Sequence, residues 1–324
     1  MGLLVEGKWH DRWYSTDDGR FRRSEAAVRN WITADGSAGP SGREGFEAQP
    51  GRYHLYVAYA CPWAHRTLLM RKLKGLEDIV TLSVVHWFMG EQGWTFEDGP
   101  GVIPDEINGV HYLHELYTKT QPDYSGRVTV PILWDKERNT MVSNESAEII
   151  RMFNSEFAAL GAADHDFYPE TLRSEIDALN DRIYPTLNDG VYRTGFATTQ
   201  EAYEEAVVPL FETLDDLEQR LATRRFLTGA SITEADVRLW PTLLRFDLVY
   251  HYHFKCNLRR LRDYPNLWGY TRDLWQQPGW RDTTNLKHAK DHYFQSHPTV
   301  NPTGVVPLGP VLDLDEPHAR HKLG

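Results

Sequence analysis

Two positions decide what chemistry this chain could do: Cys61 and the residue three places after it. Cys61 opens the run Cys61-Pro62-Trp63-Ala64-His65-Arg66. The stretch before it, residues 52–60, has alternating apolar positions and reads as a strand. The run after it, residues 67–73, reads as helix. Pro62 suits the first position of a helix, where no backbone N–H is needed. The sulfur is therefore expected at a helix N-terminus, where unpaired N–H groups and the helix dipole favour thiolate over thiol. The bland alternative is a buried cysteine that happens to precede a helix; the proline and the strand–helix context favour a nucleophile. A dithiol oxidoreductase would carry a second cysteine at position 64 to close a disulfide, and here Ala64 stands there. The only other cysteine is Cys256. Cys61 is thus expected to form a mixed disulfide that an outside thiol resolves, with glutathione the abundant candidate.

Two further places could complete such a site. Pro131 follows Val130 inside a strand pattern, where a proline cannot donate to the ladder. A cis Val130–Pro131 bond at a strand start resolves the conflict and turns the Val130 backbone outward, toward an extended peptide. Glu145-Ser146 sits at the next helix start. The free N–H groups and the Ser146 hydroxyl there make a carboxylate site, and Glu145 could pair with an ammonium group. Together they would suit the γ-glutamyl end of glutathione; the bland alternative is a routine helix cap. Metal binding fits poorly. Cys61 with His65, and His251 with His253 and Cys256, offer no set of four ligands at zinc spacing.

The elements that must position these residues are legible. A second strand over 79–85 follows the first helix, so the strand–helix–strand unit predicts parallel pairing. Residues 87–124 read as an insertion with Trp87, Trp94 and Tyr112. Residues 128–135 and 141–143 read as two more strands, and a helix opens near 144. From about residue 165 the strand pattern stops. Tyr203, Val207, Leu210, Leu214, Leu217 and Leu221 form one apolar stripe of a long helix, with Pro209 expected to kink it. Thr233 and Asp236 have the spacing of a capping box.

The chain has 324 residues, enough for about two domains. A net charge of −11 argues against nucleic acid or an anionic membrane surface as partner. Two cysteines cannot build a disulfide framework. The first residues lack a secretory apolar core, and no apolar run approaches the ~20 residues of a membrane span. These observations predict a cytoplasmic protein. Eleven Trp and sixteen Tyr suit the stacking of flat ring substrates, although most such rings simply fill a core.

Cys61-Pro62-Trp63-Ala64, the Val130–Pro131 turn, Glu145-Ser146 and the Thr233–Asp236 box together resemble the glutathione transferase superfamily, in its cysteine-type branch. The finer resemblance is to glutathionyl-hydroquinone reductases, the xi class. It is carried by residues 61–66, 93–96, 127–131, 188–197, 293–297 and 301–307, and it runs from near residue 9 to the C-terminus. The resemblance implies an α/β thioredoxin-like N-terminal domain plus an all-α C-terminal domain. On this chain that means an N-terminal extension over 1–50 and the thioredoxin-like domain over 51–160, with insertion 87–124. The helical domain follows over 161–324 and ends in a coil tail. The implied activity is glutathione-dependent reduction of glutathionyl-hydroquinones through a Cys61–glutathione disulfide. Tyr192 and Tyr293 match the family's substrate-site tyrosines. Trp94 and Arg127 match its glutathione contacts, beside Val130, Glu145 and Ser146. Glutathione is the co-substrate implied, with no metal, and a homodimer the assembly. The rivals are an omega-like thioltransferase or dehydroascorbate reductase, and a non-catalytic ligand-binding module. Tyr192, Tyr293 and the insertion favour an aromatic substrate over the first, and the presence of Cys61 speaks against the second.

Overall fold

The computed structural model describes residues 2–15 and 17–323. The chain forms two compact units. The first takes Met1–Trp13, Ser24–His165 and Thr283–His292; the second takes Tyr14–Arg23, Asp166–Asp282 and Tyr293–Gly324.

In the first unit, β1 (Leu3–Val5) and β2 (Lys8–His10) form a hairpin, and β3 (Trp31–Thr33) lies parallel to β4 (Gly45–Glu47). Then come β5 (Tyr53–Val57), α1 (Pro62–Leu73), β6 (Val80–Val84), α2 (His114–Thr120), β7 (Gly126–Arg127), β8 (Ile132–Asp135), β9 (Thr140–Ser143) and α3 (Ser146–Ser155). The main sheet has the order β6-β5-β8-β9. β5 and β6 are parallel, as the strand–helix–strand spacing predicts, while β8 runs antiparallel to β5 and β9 to β8. A separate sheet of order β2-β1-β7 ties Arg127 to the N-terminal hairpin.

All five side chains of β5 are buried, so its alternation marks an interior strand rather than a half-exposed one. Its polar tips each find a partner, as buried polar groups must. Tyr53 Oη donates to the Glu47 carbonyl, Tyr56 Oη donates to Asp105 Oδ1 at 2.8 Å, and His54 bonds Thr81 and Ser83. Burial pushes His54 down to about 4, so its ring is neutral. The expected third strand is shorter than its pattern. It begins at Ile132, and residues 128–131 form a loop ahead of it.

Beyond β9 no further strand occurs among the described residues. The helices are α4 (Arg173–Ile183), α5 (Gly190–Gly195), α6 (Gln200–Leu221), α7 (Glu234–Arg245), α8 (His251–His253), α9 (Pro265–Gln276) and α10 (Leu286–Gln295). The stripe Val207, Leu210, Leu214, Leu217 and Leu221 is buried, and α6 runs on through Pro209 as one helix. The tail is strapped to α9. Arg272 pairs with Asp313, Trp275 Nε1 donates to Asp315 at 3.0 Å, and Gln276 Nε2 donates to the Leu314 carbonyl at 2.8 Å.

The capping box at α7 is a buried hub. Asp236 accepts from Thr233 N at 2.8 Å, from Leu227 N at 3.0 Å and from Tyr270 Oη at 2.7 Å. Asp236→Ala strands those donors away from water. It should cost about 3 kcal/mol, read as a lower urea midpoint at unchanged slope. A loss below about 0.5 kcal/mol would mean that the box only marks a helix boundary.

Candidate active site

Cys61 is half-buried and stands just before α1 in extended conformation, φ −77° and ψ 122°, with Pro62 at the first helical position. Its carbonyl accepts the His65 N–H at 3.0 Å, which closes the first helical turn. Its thiol donates to the Val130 carbonyl across 3.7 Å. The Val130–Pro131 bond is cis, as the proline in the strand pattern predicts. The carbonyl that the sequence offers to a peptide thus meets the cysteine itself here.

The loop before Pro131 is held by a residue that sequence reasoning missed. Tyr117, fully buried on α2, donates its hydroxyl hydrogen to the Thr129 carbonyl at 2.9 Å. The same oxygen accepts from Thr129 N at 3.0 Å and from Asn144 Nδ2 at 3.1 Å. One donor and two acceptor sites is the full capacity of a phenol. Asn144 in turn accepts from Val28 N at 3.1 Å. Nothing local in the sequence signals this, because the network joins four separate segments, those of Val28, Tyr117, Thr129 and Asn144.

Glu145 and Ser146 do open a helix. Glu145 is the residue ahead of α3, and its carboxylate accepts from Ala147 N at 2.9 Å, a capping role. Ser146 is buried, with its Oγ 3.4 Å from Nη1 of the buried Arg66. A cation, a hydroxyl and a helix start thus lie together, a setting suited to a carboxylate. Trp94 is buried and stacks on His292 with centroids 4.7 Å apart. Arg127 lies on β7, and its guanidinium donates to the Arg12 carbonyl.

Tyr192 and Tyr293 belong to the second unit, where their hydroxyls are bonded to each other. Tyr250 adds a third phenol, its oxygen 3.1 Å from that of Tyr293. Burial drives the Tyr250 phenol well above its ordinary pKa, so it stays protonated. The chain widens into π-helical turns at Tyr184–Asn188 and Phe246–Tyr250, the first shortly before Tyr192 and the second ending on Tyr250. Such turns are frequent at functional sites. Phe196, Phe254 and His297 pack around the phenols, and His297 Nδ1 lies 3.1 Å from His253 Nε2. Cys256 is fully buried near the Val191 and Phe254 carbonyls, and burial pushes its thiol far up. Among the described residues, no group of three or more His, Cys, Asp or Glu side chains is placed to hold a metal ion.

Residues 60–156 match the glutathione S-transferase N-terminal domain, and residues 200–273 the C-terminal domain of that family. The chain belongs to the glutathione S-transferase family, in the xi-class branch that holds the glutathionyl-hydroquinone reductases. It is 58% identical to the glutathionyl-hydroquinone reductase YqjG of Escherichia coli K12, across 99% of this chain and 98% of that one. It is 55% identical to the glutathionyl-hydroquinone reductase PcpF of Sphingobium chlorophenolicum, across 97% and 98%. The glutathione-bound structure of YqjG superposes with a TM-score of 0.92 at 56% identity, covering 98% of this chain and 99% of that one. A xi-class transferase of Natrialba magadii superposes equally well, TM-score 0.92, at 46% identity over 100% and 97%.

The two thiols should differ sharply in reactivity, because one is half-buried at a helix start and the other sealed in apolar surroundings. Limited iodoacetamide treatment of the native protein, read by peptide mass spectrometry, should label Cys61 and spare Cys256 until urea is added. Equal labelling of both in the folded protein would contradict the assignment.

Proposed function

We propose that the chain reduces glutathionyl-hydroquinones with Cys61 as nucleophile and glutathione as co-substrate. The observation that carries the reading is a lone cysteine at a helix start, with Ala64 in place of a partner thiol. It occurs in a chain 58% identical over nearly its whole length to a protein of that activity. The Cys61 thiolate attacks the glutathionyl sulfur. A Cys61–glutathione disulfide forms, the carbon–sulfur bond breaks, and its electron pair stays on the ring carbon. That carbon takes a proton and departs as hydroquinone. A second glutathione, as thiolate, attacks the mixed disulfide, releases glutathione disulfide and restores the Cys61 thiolate. One carbon is reduced and two sulfurs are oxidised, and the proton taken by the ring is the one the second glutathione gives up.

Glutathione is held by Trp94, by Arg127 toward a carboxylate, by the Val130 backbone, and by Glu145 and Ser146 toward its γ-glutamyl end. Tyr192 and Tyr293 serve the aromatic part. An aromatic carbanion is a poor leaving group, so the ring carbon must be helped to its proton. A phenol bonded to a ring hydroxyl polarises that oxygen and steadies the ring. The reading places the enzyme in the cytoplasm, where reduced glutathione is abundant, and takes the homodimer from the family resemblance. Among the described residues no helix is long and apolar enough to cross a membrane.

Cys61→Ala should abolish hydroquinone release from glutathionyl-hydroquinone. Cys61→Ser should leave little, since an alkoxide is far harder to form than a thiolate. Intact-mass analysis of the wild type should show one added glutathionyl group on Cys61. Near-wild-type turnover by Cys61→Ala would sink the covalent route.

Tyr192→Phe and Tyr293→Phe should each lower kcat/KM for the aromatic substrate roughly three- to tenfold, the worth of one neutral hydrogen bond. Glutathione affinity by calorimetry should stay nearly constant. If both variants keep wild-type kcat/KM, the tyrosines are packing residues.

A further inference from the structure

We propose that Arg23 is the positioning residue that fixes Tyr192, by clamping the start of α5 and the Tyr192 ring with one guanidinium. The inference rests on the hydroquinone-reductase reading and adds a specificity element to it. Arg23 Nε donates to Asp189 Oδ1 at 2.6 Å. Its guanidinium carbon stands 4.7 Å from the centroid of the Tyr192 ring and 5.3 Å from that of Phe21. The Asp189 carbonyl accepts the N–H groups of Tyr192 and Arg193, each at 3.0 Å, and so opens α5. The same arginine therefore touches the residue that begins the helix and the ring carried three places on.

Why α5 gains from such a clamp follows from its junction. It has six residues and no side-chain cap, with a glycine at each end, and it follows α4 through the π-helical turn Tyr184–Asn188. A π turn departs from the regular helical ladder, and Arg23 bonds Asp189 where that turn gives way to α5. Arg23 is itself well anchored. Phe21 packs on Tyr14 and Phe196, Arg20 pairs with Glu205 on α6 at 2.7 Å, and Thr198 N donates to the Gly19 carbonyl at 3.0 Å. Burial is the largest influence on Arg23 and opposes its charge, but Asp189, Tyr14 and Tyr192 together more than offset it and raise its pKa. A planar guanidinium over a ring face, with its edge bonded to a carboxylate, defines one ring orientation; a lysine ammonium would supply the charge without the fork.

The test compares two substrates in the full-length enzyme. Glutathionyl-hydroquinone needs its ring held; the mixed disulfide of glutathione and 2-mercaptoethanol has no ring. Arg23→Gln should lower kcat/KM about tenfold for the first and leave the second within about twofold of wild type. Arg23→Lys should fall between. Asp189→Asn cuts the clamp from its other side, and the double variant Arg23→Gln/Asp189→Asn should lose no more than the worse single one. Equal losses on both substrates, or none on the aromatic one, would overturn the role. So would additive losses in the double variant. A wild type that turns over the mixed disulfide but not glutathionyl-hydroquinone would reject the parent reading first, before any variant is compared, and this role with it.

Discussion

The antiparallel register of β5 against β8 places Tyr56 opposite Ile132. The chain leaves β5 toward Cys61 at the same end of the sheet where it enters β8 from Pro131. Two strands that share this edge must bring the sulfur and the Val130 carbonyl together. A slip of one residue would move the loop by about 3.4 Å along the strand and turn every side chain of β8 to the other face. All four β8 side chains are buried, so the sheet resists such a slip. The loop at 128–131 has no strand to pair with, and its backbone polar groups need partners all the same. The Tyr117 hydroxyl supplies both a donor and an acceptor to Thr129, which lets the ladder begin only after the proline.

The second unit solves a related problem with side chains. Three phenols lie in an apolar cluster where a lone hydroxyl would cost free energy. They satisfy one another through Tyr293, which bonds both Tyr192 and Tyr250. The cluster draws on residues near 21, 192, 250 and 293, so it exists only once the helical unit has assembled. Its polar groups are the phenol oxygens, the Arg23–Asp189 pair and the bonded imidazoles of His253 and His297, and the rest is ring surface. That combination suits a flat ligand carrying hydroxyl groups better than a flexible polar one.

What was legible in the sequence was local. Cys61 at a helix start, the cis proline, the parallel β5–β6 pair, the Thr233–Asp236 box and the long stripe of α6 each depend on neighbours within a few residues or on one simple period. Tyr117, Arg23, Tyr250 and Asn144 were not legible, because each acts on partners a dozen or more residues away and sits in no recognisable motif. Glu145 shows the middle case. Its position at a helix start was readable, but the bond its carboxylate accepts from Ala147 N, which caps α3, was not. Tyr192 and Tyr293 were singled out by resemblance alone. Nothing in their immediate sequence separates them from the core tyrosines around them.

The contrast between the two cysteines shows why exposure matters as much as nucleophilicity. Cys256 has no route to an outside thiol, so it contributes only as a small apolar side chain. In the proposed cycle Cys61 attacks once and takes a glutathionyl group, and a second glutathione must then reach the glutathionyl sulfur of that disulfide. Thiol–disulfide exchange needs access to the sulfur under attack. A fully buried Cys61 would be stranded at the mixed disulfide, and with Ala64 buried in α1 no internal thiol could rescue it. The half-buried position is the compromise the chemistry demands. Enough burial keeps the sulfur beside the Val130 carbonyl at the start of α1, and enough opening admits the thiol that restores it.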